Sequence, residues 1–338
     1  NIALALDWVF YSKFKSQAIE NPVFVVSLPR TGTTNMLHGL MSPQTRFSAM
    51  SLWEIVLAPS VVQKKLLRWI WKSLPDAAKR GVRRLDGAIF NQLNALHKTG
   101  LFHKEEDDLI LMWSLSSVYL SFFYPESNVK RDFFRFDADL PRERQDRIMR
   151  RYRRMVQRHL YALGLESPRR FLSKNPSMAG KIEAVSRHFP GAQAVVIERD
   201  PRRVLPSTEL LLIHLFKFAT DVPISNSERL FIQHVLEDFR MNLQSKLVDK
   251  ALIPYVVVSF TDLVKEREQT LNLLLQWLGS DAKAVGMDRS ASHKSKTSYQ
   301  PLSDQEFQEA LRSPWPSWPL DKFLTQAMLV EDNASIPV

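Results

Sequence analysis

An apolar run that ends in a tight, hydroxyl-rich turn constrains the fold of this chain more than any other segment. Residues 23–26 form a β-branched and aromatic run that is typical of a buried strand. Pro29 and Gly32 permit a sharp turn, and Thr33 and Thr34 begin the next predicted helix. The free N–H groups at the start of a helix favour an anion. The segment therefore predicts a strand–turn–helix unit that binds a phosphate group.

The turn differs from the nucleotide-binding loop G-x-x-x-x-G-K-[ST]. A lysine follows the last glycine of that loop, whereas Thr33 follows Gly32 here, and the nearest cation, Arg30, precedes the glycine. The turn is also shorter than that pattern allows. A nucleoside triphosphate bound with magnesium therefore fits poorly. A nucleotide kinase, or another P-loop phosphotransferase, is the alternative that Thr33 disfavours.

The turn resembles the P-R-[ST]-G-T-T loop of sulfotransferases that use 3′-phosphoadenosine 5′-phosphosulfate (PAPS). In that family the loop holds the 5′-phosphosulfate. The resemblance implies this binding role for six consecutive residues: Pro29, Arg30, Thr31, Gly32, Thr33 and Thr34. The alternative without a ligand is a plain strand–turn–helix in which the threonines cap the helix.

A second strand-to-helix junction lies further along the chain. An apolar run, 194–197, precedes Arg199-Asp200-Pro201, and Ser207 follows on the next predicted helix. In the family, an arginine and a serine so placed bind the 3′-phosphate, and the resemblance implies this role for Arg199 and Ser207. A guanidinium offers a forked set of donors, and a hydroxyl adds one directed bond. A helix that begins with Asp and Pro and needs no ligand is the alternative.

A third junction lies between these two. The short predicted strand 171–174 ends at Lys174 and runs into the turn residues Asn175 and Pro176. In the family, a lysine in a comparable K-[DNST]-P context reaches the sulfuryl group, and the resemblance implies that role for Lys174. Taken alone, Lys174 would be an ordinary surface lysine. Together with Arg30 and the helix start, it would supply positive charge for the transferred SO₃ and the leaving phosphate.

Sulfuryl transfer to a hydroxyl needs a base, and two residues are candidates. Glu54, which follows Trp53, lies where one branch of the family, including tyrosylprotein enzymes and many bacterial members, has its catalytic glutamate. Partial burial beside Trp53 is expected to raise the pKa of Glu54. His103 is the alternative base, because cytosolic members of the broader family use histidine.

The late part of the sequence departs from the family pattern. Many members have Tyr-Glu-Asp-Leu after the last strand, whereas this chain has Phe-Thr-Asp-Leu from Phe260. A hydroxyl contact to adenine is therefore lost, although the ring of Phe260 can still stack. A basic glycine-containing loop over the 3′-phosphate is not recognisable, and Lys294 is the expected substitute. The resemblance is strong over 22–54 and 171–215 and weaker over 254–278.

Strand–helix alternation predicts the α/β fold class, with a P-loop-like parallel sheet flanked by helices. A single domain is expected, whose large helical insertion forms the acceptor side. Its expected parts are an α/β core at about 20–54 and 168–280, the insertion at about 55–165, and a C-terminal extension at about 281–338.

Helical patterns fill the insertion and the connections between strands. The predicted helices are 1–20, 34–41, 61–67, 89–96, 109–124, 142–163, 177–188, 201–218, 226–248 and 262–278. The acidic run 105–108 is interpreted as the first turn of the buried helix that continues to residue 124. The arginine-rich segment 142–163 is an amphipathic helix with a solvated face, with nucleic-acid binding as an alternative. The Phe, Trp and Met content of the insertion favours an apolar or amphiphilic alcohol as acceptor.

The composition narrows the classes of ligand and partner that this chain can bind. An excess of 46 Lys and Arg over 36 Asp and Glu gives a net charge of +10, which suits anionic ligands, nucleic acid or an acidic membrane surface. The absence of cysteine excludes disulfides and thiolate chemistry, and the eight histidines lack ligand spacing, so no metal is expected.

No uncharged stretch reaches about 18 residues, and no signal pattern opens the chain, which predicts a soluble, cytoplasmic protein. Trp69 and Trp71 leave peripheral membrane contact open. The expected partner is a small-molecule or lipid-like acceptor, with no nucleic acid.

The resemblance of the three junctions, which occur in the order that the family has, implies an enzyme, a PAPS-dependent sulfotransferase. It would transfer a sulfuryl group to a hydroxyl by in-line displacement and release 3′-phosphoadenosine 5′-phosphate. A basic module that binds membranes or nucleic acid is a second alternative, which explains the charge but not the order of the junctions.

Overall fold

A parallel sheet organises this chain, whose structure is a computed structural model. The structure describes residues 2–41, 44–91, 99–123, 129–164, 169–219, 225–282 and 300–325. Within these ranges the strands are β1 (Val23–Val25), β2 (Phe47–Ser48), β3 (Arg170–Lys174), β4 (Gln193–Glu198) and β5 (Tyr255–Ser259). Their order in the sheet is β2-β3-β1-β4-β5, and every pairing is parallel. The predicted fold class is confirmed.

Helices cover both faces of the sheet. Those in the first half of the chain are α1 (Ile2–Phe10), α2 (Thr33–Leu40), α3 (Leu52–Val56), α4 (Val61–Ser73), α5 (Asp76–Ile89), α6 (Leu120–Phe123), α7 (Val129–Phe134), α8 (Phe136–Asp139) and α9 (Arg142–Leu163). Those in the second half are α10 (Ile182–His188), α11 (Pro201–Ala219), α12 (Asn226–Leu243), α13 (Phe260–Lys265), α14 (Arg267–Trp277) and α15 (Asp304–Glu309). Among the described helices, none is both long and apolar enough to cross a bilayer.

The central strands are apolar on both sides because both faces of the sheet are buried. Phe24 of β1 belongs to one core cluster, whereas its neighbours Val23 and Val25 belong to the other. The first cluster extends through α9, for example Tyr152, and the second extends through α14, for example Leu271. Burial on both faces explains why the strands appear in the sequence as continuous apolar runs rather than alternating ones.

The register of the sheet brings the strand ends together. Val25 of β1 pairs with Lys174 of β3 on one side and with Val195 of β4 on the other. All strands run in the same direction, so the segments that follow β1, β3 and β4 leave from the same edge. In sheets of this kind, ligands bind at that edge, where the connections diverge to opposite sides.

The predicted helix 109–124 is wrong. The structure has a 3₁₀ helix at Asp107–Ser114, a left-handed residue at Leu115 (φ 49°) and the short helix α6. The reason is the carboxylate of Asp108, which accepts hydrogen bonds from the Ser117 hydroxyl (2.5 Å) and the Val118 N–H (3.1 Å) and contacts Lys181. These contacts fold the chain back on itself, which a continuous helix does not allow.

Asp107 is buried beside Asp108 and joins three parts of the chain. Its carboxylate accepts hydrogen bonds from the hydroxyls of Tyr152 (2.9 Å) and Ser173 (3.0 Å) and from the side-chain amide of Asn175 (3.0 Å). Burial raises the pKa of Asp107 to about 6, although these hydrogen bonds oppose the shift. The acidic run therefore serves as a set of buried acceptors, and not only as the first turn of a helix.

Several other boundaries differ from the sequence predictions. The strand β2 and the helix α5 are absent from the predictions, and the predicted helix 1–20 is limited to α1 and a 3₁₀ turn at Ser12–Ser16. Most of the predicted helix 89–96 lies outside the described residues. The predicted helix 262–278 is two helices, α13 and α14, separated at Glu266. Segment 142–163 is helical over the predicted range.

The raised pKa of Asp107 predicts a specific dependence of stability on pH. The native state holds the proton more tightly than the unfolded chain does, so this contribution is complete below about pH 4 and is lost as the pH rises through about 6. The free energy of unfolding of the wild type, relative to Asp107→Asn, should therefore fall by up to about 3 kcal/mol between pH 4 and pH 7. Urea denaturation across that range measures the difference. If the free energies of unfolding of the two proteins change in parallel with pH, the raised pKa of Asp107 is contradicted.

Candidate active site

The turn after β1 is held in a conformation that suits an anion. Arg30 and Gly32 have left-handed backbone angles (φ 65° and 94°), and α2 begins directly afterwards at Thr33. The hydroxyl of Thr31 is buried and donates to the Leu28 carbonyl oxygen at 2.7 Å. The side chain of Thr31 therefore closes the turn, and the first N–H groups of α2 lie at the sheet edge that the strand ends share.

The second junction meets this turn directly. The Arg30 guanidinium donates from Nε to the Ser207 hydroxyl of α11 at 3.0 Å. Arg199, which follows β4, donates from Nη1 to the main-chain oxygen of Arg30 at 2.5 Å. The structure therefore brings together Arg30, Arg199 and Ser207, which are far apart in sequence.

The ring of Phe260 packs against the corner where Arg199 meets the turn after β1. The Arg199 guanidinium lies over its ring, 4.4 Å from the ring centroid. The ring also contacts the turn, because a Cβ atom built on Gly32 would come within 3.1 Å of two ring carbons. One face of Phe260 is thus occupied by Arg199, which makes the ring a platform for the arginine.

Lys174 lies at the end of β3, beside the turn. Its side chain is buried, and its Nζ is 3.7 Å from a carboxylate oxygen of Glu105. Asn175, the next residue, donates its N–H to the Val25 carbonyl oxygen at 3.1 Å. Lys174 is therefore not a surface lysine, and its position is fixed from both sides by contacts with β1 and with the acidic run.

A loop at residues 100–105 connects Lys174 to the candidate bases. Its main chain pairs with the start of α3, where Leu52 N–H donates to the His103 oxygen (2.9 Å) and Glu105 N–H donates to the Met50 oxygen (3.1 Å). The side chain of His103 is half-buried. The loop brings His103, Glu105 and the helix that carries Glu54 to the same side of the sheet edge.

The Glu54 carboxylate is buried, with 2% of the residue exposed, and is surrounded by donors. Oε1 accepts from Arg68 Nη2 of α4 at 2.8 Å and lies 3.3 Å from His159 Nδ1 of α9. Oε2 accepts from the Ser51 N–H at 2.9 Å, a capping-box contact, and lies 3.9 Å from Lys104 Nζ. Glu54 therefore also stabilises the start of its own helix.

The expected rise in the pKa of Glu54 is wrong. Burial does raise the pKa, but His159, Lys64 and Lys104 outweigh burial and hold it well below the usual range of a glutamate. The carboxylate is consequently ionised at neutral pH. Burial beside Trp53 alone would have had the opposite effect, and the groups that reverse it, His159, Lys64 and Lys104, come from three separate segments.

His159, Lys64, Arg68 and Lys104 are the functional candidates that the sequence analysis missed. His159 Nε2 is hydrogen-bonded to the Ser48 hydroxyl of β2 at 2.8 Å, and burial lowers the pKa of its imidazole. Burial lowers the pKa of Lys64 to about 8, and its ammonium donates to the main-chain oxygen of Glu54 at 3.0 Å. A signal existed for His159, which follows Tyr152 and Met155 at helical spacing on the apolar face of α9.

The remaining predicted site residues are placed as follows. Pro29 and Thr34 are half-buried on either side of the turn, and Thr33 is buried at the start of α2. Lys294 lies outside the described residues.

The sequence profile described as "Sulfotransferase family" matches residues 22–283. The match covers more than half of the chain and includes all five strands of the described sheet, and the chain belongs to the sulfotransferase family. The family prediction is thereby confirmed.

Curated relatives and solved structures agree with this assignment. The chain is 28% identical over 198 residues to omega-hydroxy-beta-dihydromenaquinone-9 sulfotransferase Stf3 of Mycobacterium bovis and, equally, to that of Mycobacterium tuberculosis. Each alignment covers 58% of this chain and 45% of the relative, so the chain spans about half the length of the curated relatives it matches.

Two sulfotransferase crystal structures share the fold. STF9 from Mycobacterium avium has a TM-score of 0.60 at 17% identity and covers 82% of this chain and 68% of its own. STF1 from Mycobacterium tuberculosis H37Rv has a TM-score of 0.53 at 22% identity and covers 99% of this chain and 82% of its own. At these identities the likeness concerns the fold.

Gly32→Ala tests the packing of the turn. The backbone angle of Gly32 disfavours any side chain by about 1–2 kcal/mol, and the added methyl would press on the Phe260 ring. We expect a lower free energy of unfolding and a displaced Arg199. Thermal denaturation measures the loss of stability, and the affinity of the variant for an anion measures the displacement of Arg199.

Gly81→Ala is the matched control for this substitution. Gly81 lies within α5, where a Cβ atom meets nothing within 4 Å. In a helix interior this change should stabilise by about 0.5–1 kcal/mol. Equal changes in the free energy of unfolding for the two substitutions would contradict the strained packing at Gly32.

Proposed function

We propose that this chain transfers a sulfuryl group from PAPS to a hydroxyl group of an apolar or amphiphilic acceptor. The observation that carries the proposal is the direct contact between the turn after β1 and the Arg199–Ser207 corner, through Arg30. Two guanidiniums, a hydroxyl and a helix start meet there, and all of them can donate hydrogen bonds. This donor set fits an anion with two separate phosphate-type groups better than a neutral ligand.

The roles of the binding residues follow from their positions. The N–H groups at Gly32, Thr33 and Thr34 would bind the 5′ end of the donor, and Arg199 and Ser207 would bind its 3′-phosphate. PAPS supplies an activated sulfuryl group and a stable leaving group. The chain itself supplies orientation and positive charge, which dominate reactions of this class.

Lys174 and Arg30 would stabilise the charge that develops on the leaving oxygen. Lys174 is buried at the end of the strand next to β1, and Glu105 and the main chain restrict its position. A positioned cation requires little reorganisation during the reaction and acts more strongly away from water.

Glu54 would accept the proton of the acceptor hydroxyl. A general base must be deprotonated, and the low pKa of Glu54 ensures this at neutral pH. A low pKa also makes the carboxylate a weak base, so proton transfer should accompany sulfuryl transfer rather than precede it. His103, half-buried in the neighbouring loop, is the alternative base.

Exposed apolar side chains around α3 support an apolar or amphiphilic acceptor. The exposed side chains are Val56 at the end of α3, Leu57 directly after it, Phe102 of the loop, and Trp113 and Leu115. These residues adjoin the segment that carries Glu54, since Trp113 donates its indole N–H to the Ile55 carbonyl oxygen. The name of the Stf3 relatives specifies a hydroxylated dihydromenaquinone, which is an acceptor of this chemical class.

Titration calorimetry with 3′-phosphoadenosine 5′-phosphate tests the donor. Binding should be clearly stronger than binding of ATP with magnesium or of duplex DNA. Arg199→Ala should weaken the binding by about 1.5–3 kcal/mol, the range for a hydrogen bond to a charged group. Unchanged binding would remove Arg199 from the 3′-phosphate site.

Arg203→Ala is the matched control, since Arg203 lies on α11, the helix that carries Ser207, and is exposed. We expect no more than a small change in affinity for this variant. Because Arg199 also contacts the main chain of Arg30, thermal denaturation of both variants separates lost binding from lost stability.

Glu54→Gln tests the base. Turnover should fall by about 10²- to 10⁴-fold while the affinity for 3′-phosphoadenosine 5′-phosphate is retained. In the wild type, kcat/KM should decline only when the pH falls well below 4.5, because Glu54 must remain ionised. Normal turnover in Glu54→Gln, together with loss of turnover in His103→Gln, would move the role to His103.

A further inference from the structure

Helices α4 and α5 are consecutive and are joined by Leu74 and Pro75. This pair of helices, the α4–α5 hairpin, exposes apolar side chains that a globular protein ordinarily buries. On α4, Leu66 is 50% exposed and Trp69 is 66% exposed. On α5, Leu85 is 62% exposed and Ile89 is 52% exposed, and no residue of the helix is buried. A surface helix normally turns its apolar stripe towards the core. Here the stripe faces solvent.

The contacts of α5 explain this orientation. Val82, Leu85 and Ile89 follow helical spacing and share one stripe. The helix is attached through other positions: the Asp86 carboxylate accepts from the Leu101 N–H at 2.8 Å, and the Arg83 guanidinium lies 6.0 Å from the centroid of the Trp71 ring. The exposed stripe is therefore a consequence of how the helix is anchored.

Charge distinguishes this surface further. Residues 61–89 contain eight Lys and Arg residues but only two Asp residues. Lys64 is buried and Arg68 binds Glu54, which leaves six basic side chains for this surface. Lys65, Lys72, Arg80, Arg83 and Arg84 are exposed. An exposed apolar stripe with basic residues beside it is the pattern of helices that lie in the interface of an anionic bilayer.

Helix α9 provides a comparison within the same chain. It also carries many arginines, among them the exposed Arg147 and Arg150. Its apolar residues, however, including Ile148 and Val156, are buried in the core. Positive charge and exposed apolar area coincide on the hairpin but not on α9, so a purely electrostatic partner such as nucleic acid does not account for the hairpin.

We propose that the α4–α5 hairpin is a docking surface for an anionic lipid bilayer. The basic residues would contact lipid phosphates, and Leu66, Trp69, Leu85 and Ile89 would enter the boundary between headgroups and acyl chains. Trp69 suits the boundary between headgroups and acyl chains, because its ring is apolar and its N–H is polar.

The hairpin also adjoins the candidate site. Arg68, on the inner side of α4, binds Glu54, and Trp71 contacts Phe102 at 4.9 Å between ring centroids. Docking would place the acceptor side of the site near the bilayer, and an amphiphilic alcohol could enter from there. This last step rests on the proposed function, whereas docking itself does not.

Vesicle co-sedimentation of the full chain tests the proposal without donor or turnover. The chain should bind vesicles that contain 30% phosphatidylglycerol in phosphatidylcholine and bind pure phosphatidylcholine vesicles at least about tenfold more weakly. Leu85→Ser with Ile89→Ser, and separately Arg80→Gln with Arg84→Gln, should each reduce the partition coefficient about 10- to 30-fold. All four side chains are exposed, and thermal denaturation should show unchanged folding.

Two controls are matched to these variants. Arg147→Gln with Arg150→Gln removes equal charge from α9, and Leu320→Ser removes an exposed leucine elsewhere. Both should bind like the wild type. The proposal is overturned by equal losses in the controls, by absence of vesicle binding, or by self-association that Leu85→Ser with Ile89→Ser abolishes. The last result would identify the hairpin as a protein interface.

Discussion

The buried carboxylate of Asp107 is the interaction on which the arrangement of the site depends. Its three donors lie on α9 and on both sides of Lys174, at Ser173 and Asn175. Burying a carboxyl group costs free energy unless its oxygens accept hydrogen bonds. The hydrogen bonds of Asp107 therefore hold together the acidic run, α9 and the end of β3. The neighbouring Glu105 contacts Lys174 itself, and Asp108 contacts Lys181. The acidic run thus attaches the helical insertion to the edge of the sheet.

Two cationic regions meet at this edge. Around the turn, Arg30 and Arg199 contact each other through the main chain and Phe260 supports Arg199. Around Glu54, Arg68 and Lys104 surround a single ionised carboxylate. A surplus of positive charge around the turn suits an anionic ligand, and the cations around Glu54 help to keep its carboxylate ionised.

The sequence predicted the parallel sheet and the three junctions because these features are local. Continuous apolar runs specify strands buried on both faces, and Pro29 and Gly32 specify the turn. It failed at 109–124, where Asp108 bonds to Ser117 and Val118 and bends the chain, and at β2, which is too short to leave a pattern. It also failed for the pKa of Glu54, since the decisive His159 lies more than 100 residues away.

The sequence by itself determined which donors this protein carries and that strand ends would present them on one edge of a sheet. Only the tertiary structure decided that Arg30 reaches Ser207, that Glu54 stays ionised although it is buried, and that the apolar stripe of α5 faces outward. The physical reason is the range of the interactions. Backbone propensity and turn chemistry act between neighbouring residues, whereas charge balance and burial depend on segments that approach each other only after folding.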